Sequence, residues 1–377
     1  MKRYAMACLF LFVFVWPVQA AVNGELLARQ VNKAGYGYVI ATVFGSDYEM
    51  GYAHGYLLAT DVDKNARWVR QVLGARYGRT LTALATTYWP LDVQQEIQGL
   101  VAGVKAKMPR SIVTTGDIKL LNTFADWGYA AGCRSHAAWG SYYMPHDVEM
   151  LATRRTDRST PSGMAVVHLV LAYRHANGFQ WVNVGLPGLV IAATAVRQDG
   201  TMVAIHDAPE SGGTRAQTNV ITRSMATRVL VRAGDVHAGF AALQPYKPWT
   251  GTFLNVFGPN RTGGVIAADA TRGFYNLRLP QPSYFGGEVI HTSNLHTDGT
   301  SAPVDFPEVA AYYGGATPKT LADHFGLLNH ITTDDGFQLL SVAYRGPGDM
   351  TLWYQGRLAG TSTTPVLSLE WSALFRE

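Results

Sequence analysis

Cysteine is almost absent from this chain, whose 377 residues include two, Cys8 and Cys133. Cys8 lies within an apolar run from Met6 to Trp16 and is expected to leave with an export leader. The single remaining thiol cannot form an internal disulfide. Cys133 is therefore a buried small hydrophobe, one half of an intermolecular bridge, or a nucleophile. Because Gly132 precedes it at the start of a strand-like run, a fourth interpretation is cleavage between the two residues, which makes Cys133 a new N-terminus.

Long apolar runs are missing beyond the leader, so no stable membrane insertion is predicted. The leader begins with Lys2 and Arg3, and its apolar core is too short to span a bilayer of about 30 Å. It ends in Val18-Gln19-Ala20, a small-residue cleavage site typical of export signals. We expect residues 1–20 to be a signal peptide and the mature protein to be periplasmic or secreted.

Charged residues are also scarce, at 15% of the chain against 47% hydrophobic residues. The formal net charge of +4 includes Lys2 and Arg3, so the mature chain keeps a small positive excess. Scattered cations in this number do not favour a nucleic-acid partner. The sequence has no His/Cys cluster with metal-ligand spacing, no P-loop and no strand-linked dinucleotide fingerprint. No metal or cofactor is therefore predicted.

Two sequence patterns meet near Cys133. Residues 47–130 favour helices, because Ser46 and Glu49 have the spacing of a capping box and apolar residues follow at helical intervals. After Cys133, stretches rich in β-branched and aromatic residues predict strands. The first of these predicted strands are 135–143, 149–155, 164–173, 179–184, 190–196 and 202–206. With the helices predicted near 220–243 and a last group of strands, the pattern indicates an α+β fold of packed layers.

Four stretches of the sequence resemble one family. They are Gly132-Cys133-Arg134-Ser135 with the following Ala137-Ala138-Trp139-Gly140, the Gly/His-rich run from Gly45 to Leu57, the segment from Leu151 to Asp157, and Thr292-Ser293-Asn294. Together they resemble the cysteine N-terminal-nucleophile (Ntn) hydrolases. The resemblance is to the group around acyl-CoA:6-aminopenicillanic acid acyltransferase, with bile-salt hydrolases and penicillin V acylases as more distant relatives.

The resemblance implies a fold and a division of the chain. The fold would be a four-layer αββα sandwich. Self-cleavage between Gly132 and Cys133 would divide the mature chain into a helical pro-segment or α-chain, residues 21–132, and a catalytic β-chain, residues 133–377.

The resemblance also implies the roles of site residues. Cys133 would be the nucleophile and its own α-amine the base, since a free α-amine titrates at about 7.7–8.0. Asp157 would accept a hydrogen bond from that amine, Arg154 would balance charge near the thiol, and Asn294 would donate to the oxyanion. The residues themselves leave open that 154–158 is a solvated polar patch and that Asn294 is a turn residue.

Two positions depart from the family's pattern. Arg155 stands where the family has Asn, and Arg134 follows the nucleophile where a small hydroxyl residue is common. An arginine beside Cys133 can favour an anionic substrate group, so the substrate cannot be copied from the family. His206 lies near the place of a second polar donor in relatives, but a core or edge histidine is the simpler interpretation. For His54 a folding role is expected.

The sequence thus predicts an exported enzyme that hydrolyses a small-molecule N-acyl or amide substrate through an acyl-Cys133 intermediate. Hydrolysis is favoured over transfer from acyl-CoA, because coenzyme A is scarce outside the cytoplasm. Two further alternatives stay open, an uncleaved ligand-binding protein of the same fold and a cysteine protease with a histidine partner. The acyl chain, the leaving group and the oligomeric state are left undetermined.

Overall fold

Two β-sheets stacked face to face form the centre of the structure, which is a computed structural model. It describes residues 22–31, 37–127, 132–142, 147–157, 167–191, 193–208, 219–280, 285–293, 307–315, 319, 327, 337–357 and 366–376. The predicted leader lies outside these ranges. Thr317 as a candidate N-cap and Pro318 after it predict a further helix over 318–329, which also lies outside these ranges apart from residues 319 and 327. No helix within the ranges is long and apolar enough to cross a membrane.

The strands are numbered in chain order. They are β1 (Gly24–Val31), β2 (Gly37–Gly45), β3 (Gly132–Trp139), β4 (Met150–Asp157), β5 (Val167–His175), β6 (Gln180–Gly185), β7 (Thr194–Arg197), β8 (Met202–Asp207), β9 (Val220–Ile221), β10 (Lys247–Pro248), β11 (Thr252–Phe257), β12 (Gly264–Asp269), β13 (Phe274–Arg278), β14 (Val289–Ser293), β15 (Phe337–Gly346), β16 (Asp349–Arg357) and β17 (Leu367–Glu370).

The first sheet has the order β1-β2-β5-β6-β7-β8-β11-β12-β13, and the second has the order β14-β3-β4-β15-β16-β17. All pairs are antiparallel except β2 with β5. The sequence Gln198-Asp199-Gly200 predicts a hairpin turn between the two flanking strands, because Asp-Gly pairs favour such turns. The structure confirms it: β7 and β8 are antiparallel, and Gly200 adopts φ of +83°. A short parallel pair, β9 with β10, lies apart from both sheets.

The helices follow the same numbering. They are α1 (Asp47–Leu57), α2 (Ala59–Leu73), α3 (Tyr77–Leu84), α4 (Leu91–Lys107), α5 (Thr115–Asn122), α6 (Arg223–Ala233), α7 (Val236–Leu243), α8 (Pro307–Gly314) and α9 (Trp371–Leu374). The predicted capping box begins α1: the Ser46 hydroxyl accepts from the Glu49 N–H, and the Glu49 carboxylate accepts from the Ser46 N–H at 2.8 Å. A proline inside a helical sequence pattern predicts a break, and Pro90 immediately precedes α4 and separates it from α3.

Three apolar cores separate four layers. One lies between the helices and the outer face of the first sheet, for example between Val93 of α4 and Leu171 of β5. The second lies between the sheets, where Ala172 and Met150 belong to the same buried cluster. The third covers the outer face of the second sheet and includes Tyr313 of α8. The order of layers is therefore helices, first sheet, second sheet and α8.

The part of the chain before Gly132 is not only helical. Its two strands, β1 and β2, form one edge of the first sheet, and β2 pairs with β5 from the part after Cys133. The sequence pattern predicts no strand at β1, because most residues of this edge strand are exposed and so lack a regular apolar alternation. The segment predicted as a helical pro-segment thus also supplies an edge of the sheet.

The Gly/His-rich motif determines how α1 packs. Gly51 and Gly55 of α1 face Gly99 and Gly103 of α4, and a methyl group on any of the four would clash with a backbone carbonyl oxygen of the opposite helix. The absence of side chains lets the two backbones approach closely. The motif therefore has a packing function that its composition alone does not reveal.

A buried polar cluster joins these N-terminal helices to α6. Arg228 donates to Glu96 at 2.9 Å and to Asp92 at 3.1 Å, and Arg232 donates to Asp92 at 3.0 Å and to Asp47 at 3.2 Å. Glu96 is completely buried. Burial raises the pKa of Glu96 to about 7, and the charge of Arg228 only partly opposes this. With three carboxylates facing two arginines, a proton on Glu96 makes the cluster neutral.

We predict that Glu96→Gln changes the pH dependence of stability. The folded state keeps a proton on Glu96 that the unfolded chain releases near pH 4.5, so the wild-type free energy of unfolding falls as pH rises from about 4.5 to about 7. The variant does not lose stability in this way. Relative to wild type, its free energy of unfolding should therefore rise by about 3 kcal/mol between pH 4.5 and pH 7. Urea unfolding at several pH values measures the difference. Glu25→Gln, which removes an exposed carboxylate, is the control. If the free energy of unfolding depends on pH in the same way in wild type and in E96Q, the raised pKa of Glu96 is contradicted.

Candidate active site

Cys133 lies at the start of β3, on the face that looks towards the first sheet. Alternate residues of a strand share a face, and Ala137 and Trp139 of β3 belong to the core between the sheets. Cys133 and Ser135 continue this row. The Cys133 side chain is buried, with 4% exposure, and Thr156 of β4 is directly opposite it in the ladder. The thiol is thus enclosed between the two sheets.

Arg154 of β4 connects the thiol to the first sheet. One guanidinium nitrogen, Nη1, donates to Oγ1 of Thr194 at 2.7 Å. The other, Nη2, donates to the carbonyl oxygen of Ile205 at 2.7 Å and lies 3.2 Å from Sγ of Cys133. Arg154 is 4% exposed, so its charge acts in a poorly solvated environment. A cation at this distance stabilises a thiolate relative to a thiol.

Ser135 and His206 form a second polar pair beside the thiol. Ser135 Oγ lies 2.7 Å from Nε2 of His206, and both side chains are fully buried. Burial, together with the charges of Arg154 and Arg134, lowers the pKa of His206 well below its ordinary value, so the imidazole is neutral. His206 hydrogen-bonds Ser135, which does not favour a protease in which histidine is the base for Cys133.

The other two predicted site residues are only partly visible. Asp157 is the last residue of β4, and its backbone pairs with Gly132; its side chain lies outside the described part of the structure. β14 ends at Ser293, opposite Arg134, and Asn294 lies outside the described residues. The roles of Asp157 and Asn294 therefore stay predictions, whereas Arg154 and Cys133 are in contact.

The two arginines that depart from the family's pattern lie side by side. Arg134 and Arg155 are directly opposite each other on β3 and β4, and strand alternation places both on the outer face of the second sheet. The same outer face carries His136, which stacks against His291 and meets Tyr313 edge to face. These residues are thus on the opposite side of the sheet from the thiol.

A cleft opens next to the Ser135–His206 pair, along β11 to β13. Its volume is about 570 Å³. Phe253, which lines it, is directly opposite His206 in the ladder, and the guanidinium of Arg278 lies 5.6 Å from the centre of the Phe253 ring. The other lining residues are Ala208, Ala267, Ala268, Asp269, Thr271, Arg272, Phe274 and Asn276. The cleft therefore combines apolar walls with cationic groups.

Sequence reasoning missed three parts of this site. Arg154 is bound by Thr194, 40 residues away, and by the carbonyl of Ile205, 51 residues away. Ser135 meets His206, 71 residues away. A lone threonine or a backbone carbonyl carries no motif. Only the alternation of β3, which puts Ser135 on the same face as Cys133, was available from the sequence. In the part of the chain that the structure describes, no three His, Cys, Asp or Glu residues converge as metal ligands.

Comparisons with known proteins find similarity to several solved structures. No family model matches the sequence, and no curated protein matches it. Among solved structures, the chain is similar to a penicillin V acylase from Agrobacterium tumefaciens, with 14% identity, a TM-score of 0.44, and coverage of 65% of this chain and 88% of that one. It is also similar to a mutant conjugated bile acid hydrolase from Clostridium perfringens, with 12% identity, a TM-score of 0.44, and coverage of 63% of this chain and 92% of that one. A Caenorhabditis elegans ortholog of N-acylethanolamine-hydrolyzing acid amidase has 12% identity and a TM-score of 0.40, and the match covers 55% of this chain and 92% of that one.

We predict that Arg154→Met slows alkylation of Cys133 by iodoacetamide at neutral pH by about tenfold or more, because the cation next to Sγ is lost. Arg154→Lys keeps a positive charge, so its alkylation rate should lie between that of Arg154→Met and that of wild type. The rate is measured by intact mass, and circular dichroism confirms that each variant is folded. An unchanged rate in a folded R154M protein would show that the guanidinium does not activate the thiol.

Proposed function

We propose that this protein is an exported Ntn hydrolase, which hydrolyses a small-molecule amide through an acyl group carried on Cys133. The observation that supports this most directly is the contact between the buried guanidinium of Arg154 and Sγ of Cys133 between the two sheets. The order of layers, helices on two stacked sheets and a helix beyond them, agrees with the αββα sandwich of that fold. Export rests on the leader at residues 1–20, which we propose is removed in a periplasm or on secretion.

In this proposal the chain first cuts itself. The Cys133 thiol attacks the carbonyl carbon of Gly132, the peptide C–N bond breaks, and the Gly132 acyl group moves onto sulfur while the α-amine of Cys133 takes up the proton. Water then hydrolyses the thioester, which releases the Gly132 carboxylate and restores the thiol. A glycine at this position leaves the carbonyl accessible. The position of both residues at the first two places of β3 supports this step.

The same thiol then acts on the substrate. The α-amine of Cys133 takes the thiol proton, and the sulfur attacks the amide carbonyl. Collapse of the tetrahedral intermediate expels the amine, which receives the proton from the α-ammonium group. Water, deprotonated by the α-amine, hydrolyses the acyl-enzyme to a carboxylic acid. Arg154 stabilises the thiolate in each cycle.

Asp157 and Asn294 complete the proposed machinery. Asp157 would accept a hydrogen bond from the α-amine of Cys133. The pairing of its backbone with Gly132 supports this, because directly opposite residues of an antiparallel ladder have Cα atoms about 4.5–5.5 Å apart. Asn294 would donate to the oxyanion of the intermediate. Its chain position, one residue beyond the end of β14 beside β3, is compatible with that role.

We assign the cleft beside His206 to the substrate. Its volume lies in the range of small-molecule sites, about 300–1,000 Å³, and its mixture of phenylalanines and arginines suits a molecule with an apolar part and a polar or anionic part. Hydrolysis is preferred to transfer from acyl-CoA because of the proposed export.

We predict that the purified wild-type protein consists of two polypeptides, residues 21–132 and 133–377, whereas Cys133→Ala remains one chain without activity. Cys133→Ser should cleave itself slowly, since the serine hydroxyl can attack the same carbonyl carbon and form an ester in place of the thioester. Intact mass spectrometry and N-terminal sequencing measure this. A single chain that starts after the leader and still hydrolyses N-acyl substrates would contradict the mechanism, and a single inert chain would favour the ligand-binding alternative.

We predict that Ala267→Trp, which fills the cleft, raises KM for N-acyl substrates by about tenfold and leaves the alkylation rate of Cys133 unchanged, because bulk at the cleft excludes the substrate but does not touch the thiol. A panel of N-acyl substrates is assayed with wild type as reference. Ala75→Trp, at an exposed position away from the cleft, controls for the added indole. Unaltered KM for every substrate that is hydrolysed would remove the cleft from the proposal.

A further inference from the structure

The loop between β6 and β7, residues 186–191, is held by a side chain from the segment before Gly132. Asn122, the last residue of α5, donates from Nδ2 to the carbonyl oxygen of Gly188 at 2.9 Å. Its Oδ1 accepts from the N–H groups of Val190 at 2.9 Å and Ile191 at 3.1 Å. Asn122 is 3% exposed, so these bonds form out of water. One side chain thus makes three hydrogen bonds to the loop backbone.

Two other buried side chains from the same segment bind the loop. Nε2 of His54 accepts from the N–H of Gly188 at 3.1 Å, and Nδ2 of Asn65 donates to the carbonyl oxygen of Pro187 at 2.8 Å. Both are fully buried. Burial lowers the pKa of His54 to about 3, so its ring stays neutral and can accept at any pH from 5 to 8. His54 thus contacts the loop backbone, and its folding role stays a prediction.

The loop leads directly to the group that holds Arg154. Thr194, the first residue of β7, follows Ile191 by three positions, and its Oγ1 accepts from Nη1 of Arg154 at 2.7 Å. The other guanidinium nitrogen of Arg154 contacts Sγ of Cys133. The bonds of Asn122 therefore end three chain positions before Thr194, and from Thr194 direct contacts lead through Arg154 to the thiol.

We propose that Asn122 is a positioning residue for catalysis, which sets the orientation of Arg154 through residues 186–191 and Thr194; this inference rests on the proposed function of Cys133. The amide reaches neither substrate nor thiol. Its effect comes from fixing the backbone that enters β7, because displacement of a catalytic group by about 1 Å can cost on the order of a hundredfold in rate. The segment before the cut is thereby required for activity after the cut.

The test uses Asn122→Leu, which keeps the volume of the side chain and removes its three bonds to the loop. We expect kcat to fall on the order of tenfold to a hundredfold with KM nearly unchanged, and the alkylation rate of Cys133 to fall as well. Thr194→Val should have the same pattern, and Thr194→Ser, which keeps the hydroxyl acceptor, should restore most of the activity. The double variant N122L/T194V should lose less than the product of the two single effects, because both act through Arg154.

Two controls separate positioning from loss of stability. Leu374→Ala destabilises α9, in a buried cluster that contains none of residues 186–191, and should lower the melting temperature without changing kcat. If N122L does not fold, Asn65→Leu, which removes one bond to the loop, should show a smaller decrease of the same kind. A folded N122L or N65L with wild-type kcat and alkylation rate, or strictly multiplicative effects with T194V, would overturn the inference.

The alkylation rate also separates this inference from the proposed function. If wild type hydrolyses no substrate, the proposed function fails, yet the alkylation rates of N122L, T194V and wild type still show whether Asn122 controls the environment of Cys133. If wild type is active, and T194V lowers kcat and the alkylation rate while N122L changes neither, the proposed function of Cys133 stands. The positioning role of Asn122 then fails.

Discussion

One buried guanidinium links the two sheets at the place where Cys133 begins its strand. A cation between apolar sheets is costly unless its donors find acceptors, and Arg154 finds them in Thr194 and in the carbonyl of Ile205, both on the first sheet. Having met these partners, the same group also reaches the sulfur. Burial lowers the pKa of His206, and the charge of Arg154 beside it lowers that pKa further, so the imidazole is neutral. One buried side chain thus both bridges the two sheets and lies against the thiol.

The part of the chain before Gly132 is integrated into the structure in three independent ways. It supplies two strands of the first sheet, a cluster of carboxylates around Arg228, and the side chains that hold residues 186–191. None of these contacts involves the Gly132–Cys133 peptide bond. A cut there would change the chemistry of Cys133, which gains an α-amine, while the packing that supports Arg154 remains.

The site also shows how polar groups are distributed between two faces of one strand. On the inner face, Cys133 and Ser135 meet a single arginine and a neutral histidine. On the outer face, Arg134 and Arg155 lie opposite each other. Because successive side chains alternate, adjacent residues of β3 belong to different environments. Proximity in sequence to Cys133 therefore does not by itself mean proximity to the thiol.

The sequence by itself predicted the local elements and singled out Cys133 as the candidate nucleophile. The capping box at Ser46, the break before α4, the turn at Gly200 and the strands after Cys133 depend on neighbouring residues, so local patterns were sufficient to predict them. The edge strand β1, the pairing of β2 with β5 and the contacts of Arg154 were decided by the tertiary structure. The pairing of β2 with β5 joins residues 130 positions apart, and Arg154 meets partners that lie 21, 40 and 51 positions away. No local pattern encodes which carbonyl or hydroxyl a buried arginine will meet once two sheets are packed together.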